Sequence, residues 1–93
     1  MIKSFSNKDT SRFWESGKSK RIPATIKQRA MDKLQILNAA ETVESLRIPP
    51  SNNLEKLSGS RAGHWSIRIN KQYRIVFRYI GGNAYDVEIV DYH

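Results

Sequence analysis

Residues 64–92 read HWSIRINKQYRIVFRYIGGNAYDVEIVDY, and this stretch decides the fold. Three runs within it, HWSIRIN, QYRIVFRYI and AYDVEIVDY, alternate with a period of two, as half-buried strands do. A three-residue loop Asn70-Lys71-Gln72 pairs Ile69 with Tyr73, Ile67 with Ile75 and Trp65 with Phe77, which aligns every apolar residue. Gly81-Gly82-Asn83 is a tight hairpin turn that pairs Phe77 with Val87 and Ile75 with Ile89. Trp65 then faces the apolar side and reads as core.

The same register arranges the charges, because residues directly opposite in an antiparallel pair share a face. Arg78 falls opposite Asp86, a cross-strand ion pair. Arg68 falls opposite Arg74, and like charges so placed cost stability. Glu88 reaches that pair only diagonally, and Tyr92 falls near Gln72 on the same face. Two readings stand: arginines splayed into water, or a phosphate-sized positive hole. Guanidinium groups suit a phosphate, being planar, permanently charged and able to grip two oxygens. Lys56, Arg61, His64 and Lys71 extend the basic surface along an RNA or DNA strand, and Tyr92 can stack on a base.

Outward from the sheet, LEKL (54–57) reads as a short strand and SGSRAG (58–63) as a loop. ATIKQRAMDKLQILNAA (24–40) sets Ile26, Ala30, Leu34 and Leu37 on one face and Gln28, Asp32 and Gln35 on the other. That is an amphipathic helix, a packing surface, with Pro23 in its first turn. ETVESLRIPPSNN (41–53) prolongs it or adds a turn before Pro49 and Pro50. NKDTSRFWESGK (7–18) suggests a shorter helix with Asn7 as cap and Gly17 as stop, and IKSF (2–5) an opening strand. Two N-terminal helices packed on a mainly antiparallel sheet make an α+β fold, and 93 residues make a single domain, 1–93.

Lys plus Arg number 16 against 9 acids, a net charge of +7, which favours polyanionic partners. With no cysteine and two distant histidines, neither a disulfide framework nor a structural zinc site is expected. Gly81-Gly82 lacks the following helix that a phosphate loop needs. No Ser-His-acid arrangement stands out. No apolar run approaches the ~20 residues of a membrane span, and MIKSFSNKDT lacks the apolar core of a signal peptide. A cytoplasmic protein without a cofactor is the expectation.

Residues 54–93, with G-x-W-S-I-R-I-N, then Y-R-I-x-F, then a final D-Y-H, resemble the C-terminal half of a HigB-type toxin of the RelE superfamily. MIKSF and the helical pair extend the resemblance over nearly the whole chain. It implies a toxin paired with a HigA-type helix-turn-helix antitoxin and reaching operator DNA only through it. It also implies metal-independent cleavage of mRNA in the ribosomal A site, the ribose 2′-hydroxyl attacking the neighbouring phosphate. Arg74 takes the position of the family's phosphate-stabilising arginine, and Asp91, Tyr92 and His93 match its acid-base cluster. One position departs: Glu55 stands where well-studied members carry a histidine, and a carboxylate there can act as a base but also repels phosphate. Two other classes share the features, ParE-type toxins that bind DNA gyrase and a noncatalytic nucleic-acid-binding module.

Overall fold

The computed structural model describes residues 1–92. Helix α1 spans Lys8–Ser16 and is set by its two ends. The Asn7 side-chain oxygen accepts from the Thr10 amide at 2.8 Å, satisfying a first-turn donor. Gly17 closes the helix at φ 73°, a conformation open to glycine, with its amide donating to the Phe13 carbonyl. Both ends are where the sequence puts them. Between them α1 buries Phe13 and Thr10, and the Thr10 hydroxyl accepts from the Ile89 amide at 3.1 Å, tying the helix to the sheet.

Helix α2 spans Lys27–Ala39. Its expected first turn, after Pro23, is a separate 3₁₀ turn, Ala24–Ile26, yet the apolar face is continuous: Ile26, Ala30, Leu34 and Leu37 are buried, and Gln28, Asp32 and Gln35 are exposed. After Ala39 the chain does not prolong the helix. It forms two 3₁₀ turns, Glu44–Arg47 and Pro50–Asn52, which bury Leu46 and Asn52.

Four strands follow among the described residues: β1 Glu55–Lys56, β2 Trp65–Arg68, β3 Tyr73–Ile80 and β4 Asn83–Asp91. They form one antiparallel sheet in the order β1-β2-β3-β4. Phe13, Leu34 and Leu37 from the helices meet Ile67, Ile75 and Phe77 from the sheet in one buried cluster, and Trp65 packs against it half-buried. The architecture is α+β, as expected. The β2–β3 register is the one read from the sequence, with Trp65 opposite Phe77, Ile67 opposite Ile75 and Arg68 opposite Arg74.

The β3–β4 hairpin reaches its register by another route. The turn has two residues, Gly81 (φ 57°) and Gly82 (φ 82°), so Ile80 pairs with Asn83 and Arg78 with Tyr85 rather than Asp86. Positive φ at both central residues suits the right-handed twist of the flanking strands. A bulge opposite Phe77 then adds the missing residue, and Val76–Glu88 and Ile75–Ile89 resume the expected pairing. Asp86 occupies the bulge at φ 53°. Its backbone groups are satisfied elsewhere: its amide donates to Ser4 Oγ and its carbonyl accepts from Ser6 Oγ, each at 2.9 Å. The Arg78–Asp86 ion pair still forms, at 3.1 Å. The opening segment, expected as a strand, makes parallel bridges Ile2–Ala84 and Phe5–Val87 along the outer edge of β4.

Candidate active site

Arg74 leaves the middle of the sheet with only 7% of its surface exposed, so its charge has to be met by protein groups. Nε donates to Ser66 Oγ at 2.8 Å and Nη2 to the Asn53 carbonyl at 2.7 Å. Nη1 lies 3.7 Å from Glu55 Oε1, and the guanidinium carbon sits 5.7 Å from the centre of the Tyr92 ring. The group is thus held in plane by two neutral acceptors, neutralised along one edge and covered by an aromatic face.

The Asn53 acceptor exists because of a local backbone feature. Asn53 ends the Pro50–Asn52 turn at φ 44°, ψ 56°, a left-handed conformation that asparagine tolerates better than most residues. That turn is anchored by fully buried Asn52, whose Nδ2 donates to the carbonyls of Leu46 and Ile48 and whose Oδ1 accepts from Lys33 at 2.6 Å. A chain of contacts therefore runs from α2 through Asn52 to the carbonyl holding Arg74.

Beside Arg74 opens a polar recess of about 380 Å³, walled by Glu55, Lys56, Ser58, Ser60, Arg61 and Tyr92. Lys56 lays its ammonium over the Trp65 ring at 5.6 Å, and Arg61 approaches Glu88 at 4.0 Å. The amide of Tyr92 donates to the Gln72 carbonyl, and Gln72 Nε2 donates to Asp91 Oδ2 at 3.1 Å, which fixes the end of β4 next to the recess. Of the residues singled out in the sequence, Arg74, Lys56, Arg61 and Tyr92 therefore come together, with Glu55 among them. Asp91 stands one residue away.

Other sequence-derived candidates lie elsewhere. Arg68, though opposite Arg74 in the ladder, turns its Nε to the Asn70 carbonyl at 3.0 Å and lines a different recess with Lys71. The single positive hole inferred from the register is thus divided, because the Asn53 turn draws one guanidinium away from the other. His64 lines neither recess; its Nδ1 is buried without a hydrogen-bond partner among the described residues. His93 lies outside the described residues. Asn53 and Ser66, which hold Arg74, were not singled out by the sequence reading, and no local pattern marks them.

Residues 3–93 match the HigB-like toxin family, described as the RelE-like toxin of the type II toxin-antitoxin system HigB. The chain belongs to the HigB-like toxin family. Relatives within the curated proteins agree: Toxin HigB-1 of Vibrio cholerae is 44% identical over 85 residues, 90% of each chain. Endoribonuclease HigB of Proteus vulgaris is 37% identical over 93 residues, the full length of both. Among solved structures, a YafQ mutant from E. coli superposes with a TM-score of 0.64 at 12% identity, covering 98% of this chain and 91% of that one, which shows the shared fold. As a HigB-like toxin of a type II system, the chain has an antitoxin as partner. Among the described residues, no helix is long and apolar enough to cross a membrane.

Proposed function

We propose that this HigB-like toxin is a metal-independent endoribonuclease that cleaves mRNA in the ribosomal A site. The observation that carries the reading is Arg74, a buried guanidinium fixed by Ser66 and Asn53 and covered by the Tyr92 ring, whose neighbours Glu55 and Tyr92 line a polar recess. The name of the full-length Proteus relative supports the same activity.

In the reaction the ribose 2′-oxygen attacks the adjacent phosphorus. Its proton passes to a base, the P–O5′ bond breaks, and an acid protonates the departing 5′-oxygen. The products carry a 2′,3′-cyclic phosphate and a 5′-hydroxyl. Arg74 holds the phosphate oxygens on which charge builds, and its fixed orientation means little reorganisation as the charge develops. The phosphate displaces the 3.7 Å contact between Arg74 and Glu55, freeing that carboxylate to take the 2′ proton. Asp91, Tyr92 and His93 supply the return proton, with histidine's free pKa of ~6.5 suited to neutral pH. Lys56, Arg61, His64, Arg68 and Lys71 carry the RNA. A HigA-type helix-turn-helix antitoxin neutralises the toxin and provides the contacts to operator DNA. The single domain, residues 1–93, works in the cytoplasm.

The test is single-turnover cleavage on purified, mRNA-programmed ribosomes with analysis of the product ends. Cyclic phosphate and 5′-hydroxyl ends are expected. Growth arrest on induction with uncut mRNA would replace the nuclease by the gyrase-binding alternative.

A further inference from the structure

Helix α2 and the loop between β2 and β3 enclose a second recess of about 410 Å³, walled by Arg29, Lys33, Ser51, Arg68, Asn70 and Lys71. Arg29, Lys33, Arg68 and Lys71 are cations, and the described residues of the lining include no acid. Among the described residues none of the four forms an ion pair with a carboxylate. Exposed Arg29 and Lys71 would be at ease in water, but that account does not extend to Lys33, 7% exposed. Its ammonium has three donors, and two are used on neutral oxygens, Ser51 Oγ at 3.1 Å and Asn52 Oδ1 at 2.6 Å. Burial pushes its pKa down and Arg29 pushes it further, with Asp32 opposing. A buried positive charge with neutral partners and a cationic neighbour is stabilised by an anion brought beside it.

We propose, resting on the RNA reading above, that this recess is a second phosphate site, which holds a backbone phosphate of RNA while Arg74 engages the scissile one. The two sites are adjacent through the sheet, since Arg68 and Arg74 are ladder partners, and through the chain. Ser51 and Asn52 accept from Lys33 on one side, and Asn53 accepts from Arg74 on the other. An RNA strand crossing this segment meets Lys33, Arg68 and Lys71 on one flank and Arg74, Arg61 and Lys56 on the other. Protein surfaces that bind acidic peptides share the charge, but a small recess with convergent donors matches the tetrahedral phosphate group better than a run of carboxylates.

The experiment measures binding of a short 2′-O-methyl RNA oligonucleotide, which lacks the attacking hydroxyl, by fluorescence anisotropy across a salt series. Arg29→Gln and Lys71→Gln change exposed side chains, Lys33→Met changes the buried one, and Lys8→Gln on α1 controls for net charge. For each lost phosphate contact the slope of log affinity against log salt falls by roughly 0.7. That fall is expected in Arg29→Gln and Lys71→Gln, with parental melting temperatures, and not in Lys8→Gln. Slopes equal to the Lys8→Gln control overturn the site even if Lys33→Met fails to fold. Parental RNA binding combined with lost antitoxin binding also overturns it and gives the recess to the protein partner. A parent that binds RNA with the expected variant slopes but leaves ribosomal mRNA intact sinks the nuclease reading and keeps the site.

Discussion

Arg68 and Arg74 are ladder partners on the same face of the same sheet, yet they live in different chemical settings. Arg74 is buried, hydrogen-bonded to a hydroxyl and a carbonyl, and flanked by Glu55 and Tyr92. Arg68 is half-buried, has one carbonyl partner, and shares its recess with three other cations. The sheet treats the two alike. The difference comes from residues 50–53, a turn outside the sheet whose left-handed last residue aims one carbonyl at Arg74. A fixed guanidinium is suited to a transition state; a loosely held one is suited to binding.

The largest expected effect on this contrast comes from the cover of Arg74. Removing Tyr92 and His93 should lower single-turnover cleavage on programmed ribosomes by ~10²–10⁴-fold, the usual worth of positioned acid-base groups. Unfolding by urea should barely change, since the buried Phe77 and Val87 lie upstream. Parental cleavage by the shortened protein would leave Tyr92 as mere decoration of the Arg74 site.

Next is Glu55, the only acid among the described residues that line the recess beside Arg74. Because the carboxylate that takes the 2′ proton also repels the phosphate, Glu55→His, which keeps a base and removes the negative charge, should raise the cleavage rate by up to ~10²-fold. An unchanged rate in a folded variant would mean that the carboxylate is a bystander or already as good a base.

Asn52→Ala probes the turn that separates the two arginines. It strips two carbonyls and an ammonium of a buried partner and should cost ~1–3 kcal/mol, read by urea unfolding. Cleavage should fall more than in a variant matched for stability elsewhere, because the Asn53 carbonyl loses its support. The smallest effect belongs to Arg78→Ala, which breaks an ion pair whose two side chains are nearly half exposed. A change of at most ~1 kcal/mol in the same unfolding assay, and no change in cleavage, is expected.

Alternation made the β2–β3 register legible because only one loop length aligns Ile67, Ile75, Trp65 and Phe77 on one face. The β3–β4 hairpin was legible only in its far half. A three-residue loop and a two-residue turn with a bulge at Asp86 leave Ile75 opposite Ile89 alike, so apolar pattern alone does not choose between them. The bulge depends on Ser4 and Ser6, more than 75 residues away in sequence. The same distance hid the parallel partner of residues 2–5.

The candidate site divides along similar lines. Arg74 and Tyr92 emerged from the register, while Asn53 and Ser66 depend on a turn and a side-chain rotamer that no sequence period encodes. Lys33 was read only as part of a helix whose job is packing. Its position relative to Asn52, 19 residues along, appears only once the chain has folded back.

The most direct test sets the two arginines side by side. Arg74→Ala and Arg68→Ala should be compared in single-turnover mRNA cleavage at saturating ribosomes and in RNA binding. Arg74→Ala should slow the chemical step by ~10²–10³-fold, about 3–4 kcal/mol of lost charge stabilisation. Arg68→Ala should weaken binding and reduce its salt dependence while leaving the saturated rate near that of the parent. Equal losses in the chemical step, or a full rate from Arg74→Ala, would contradict the assignment of chemistry to one arginine and binding to the other.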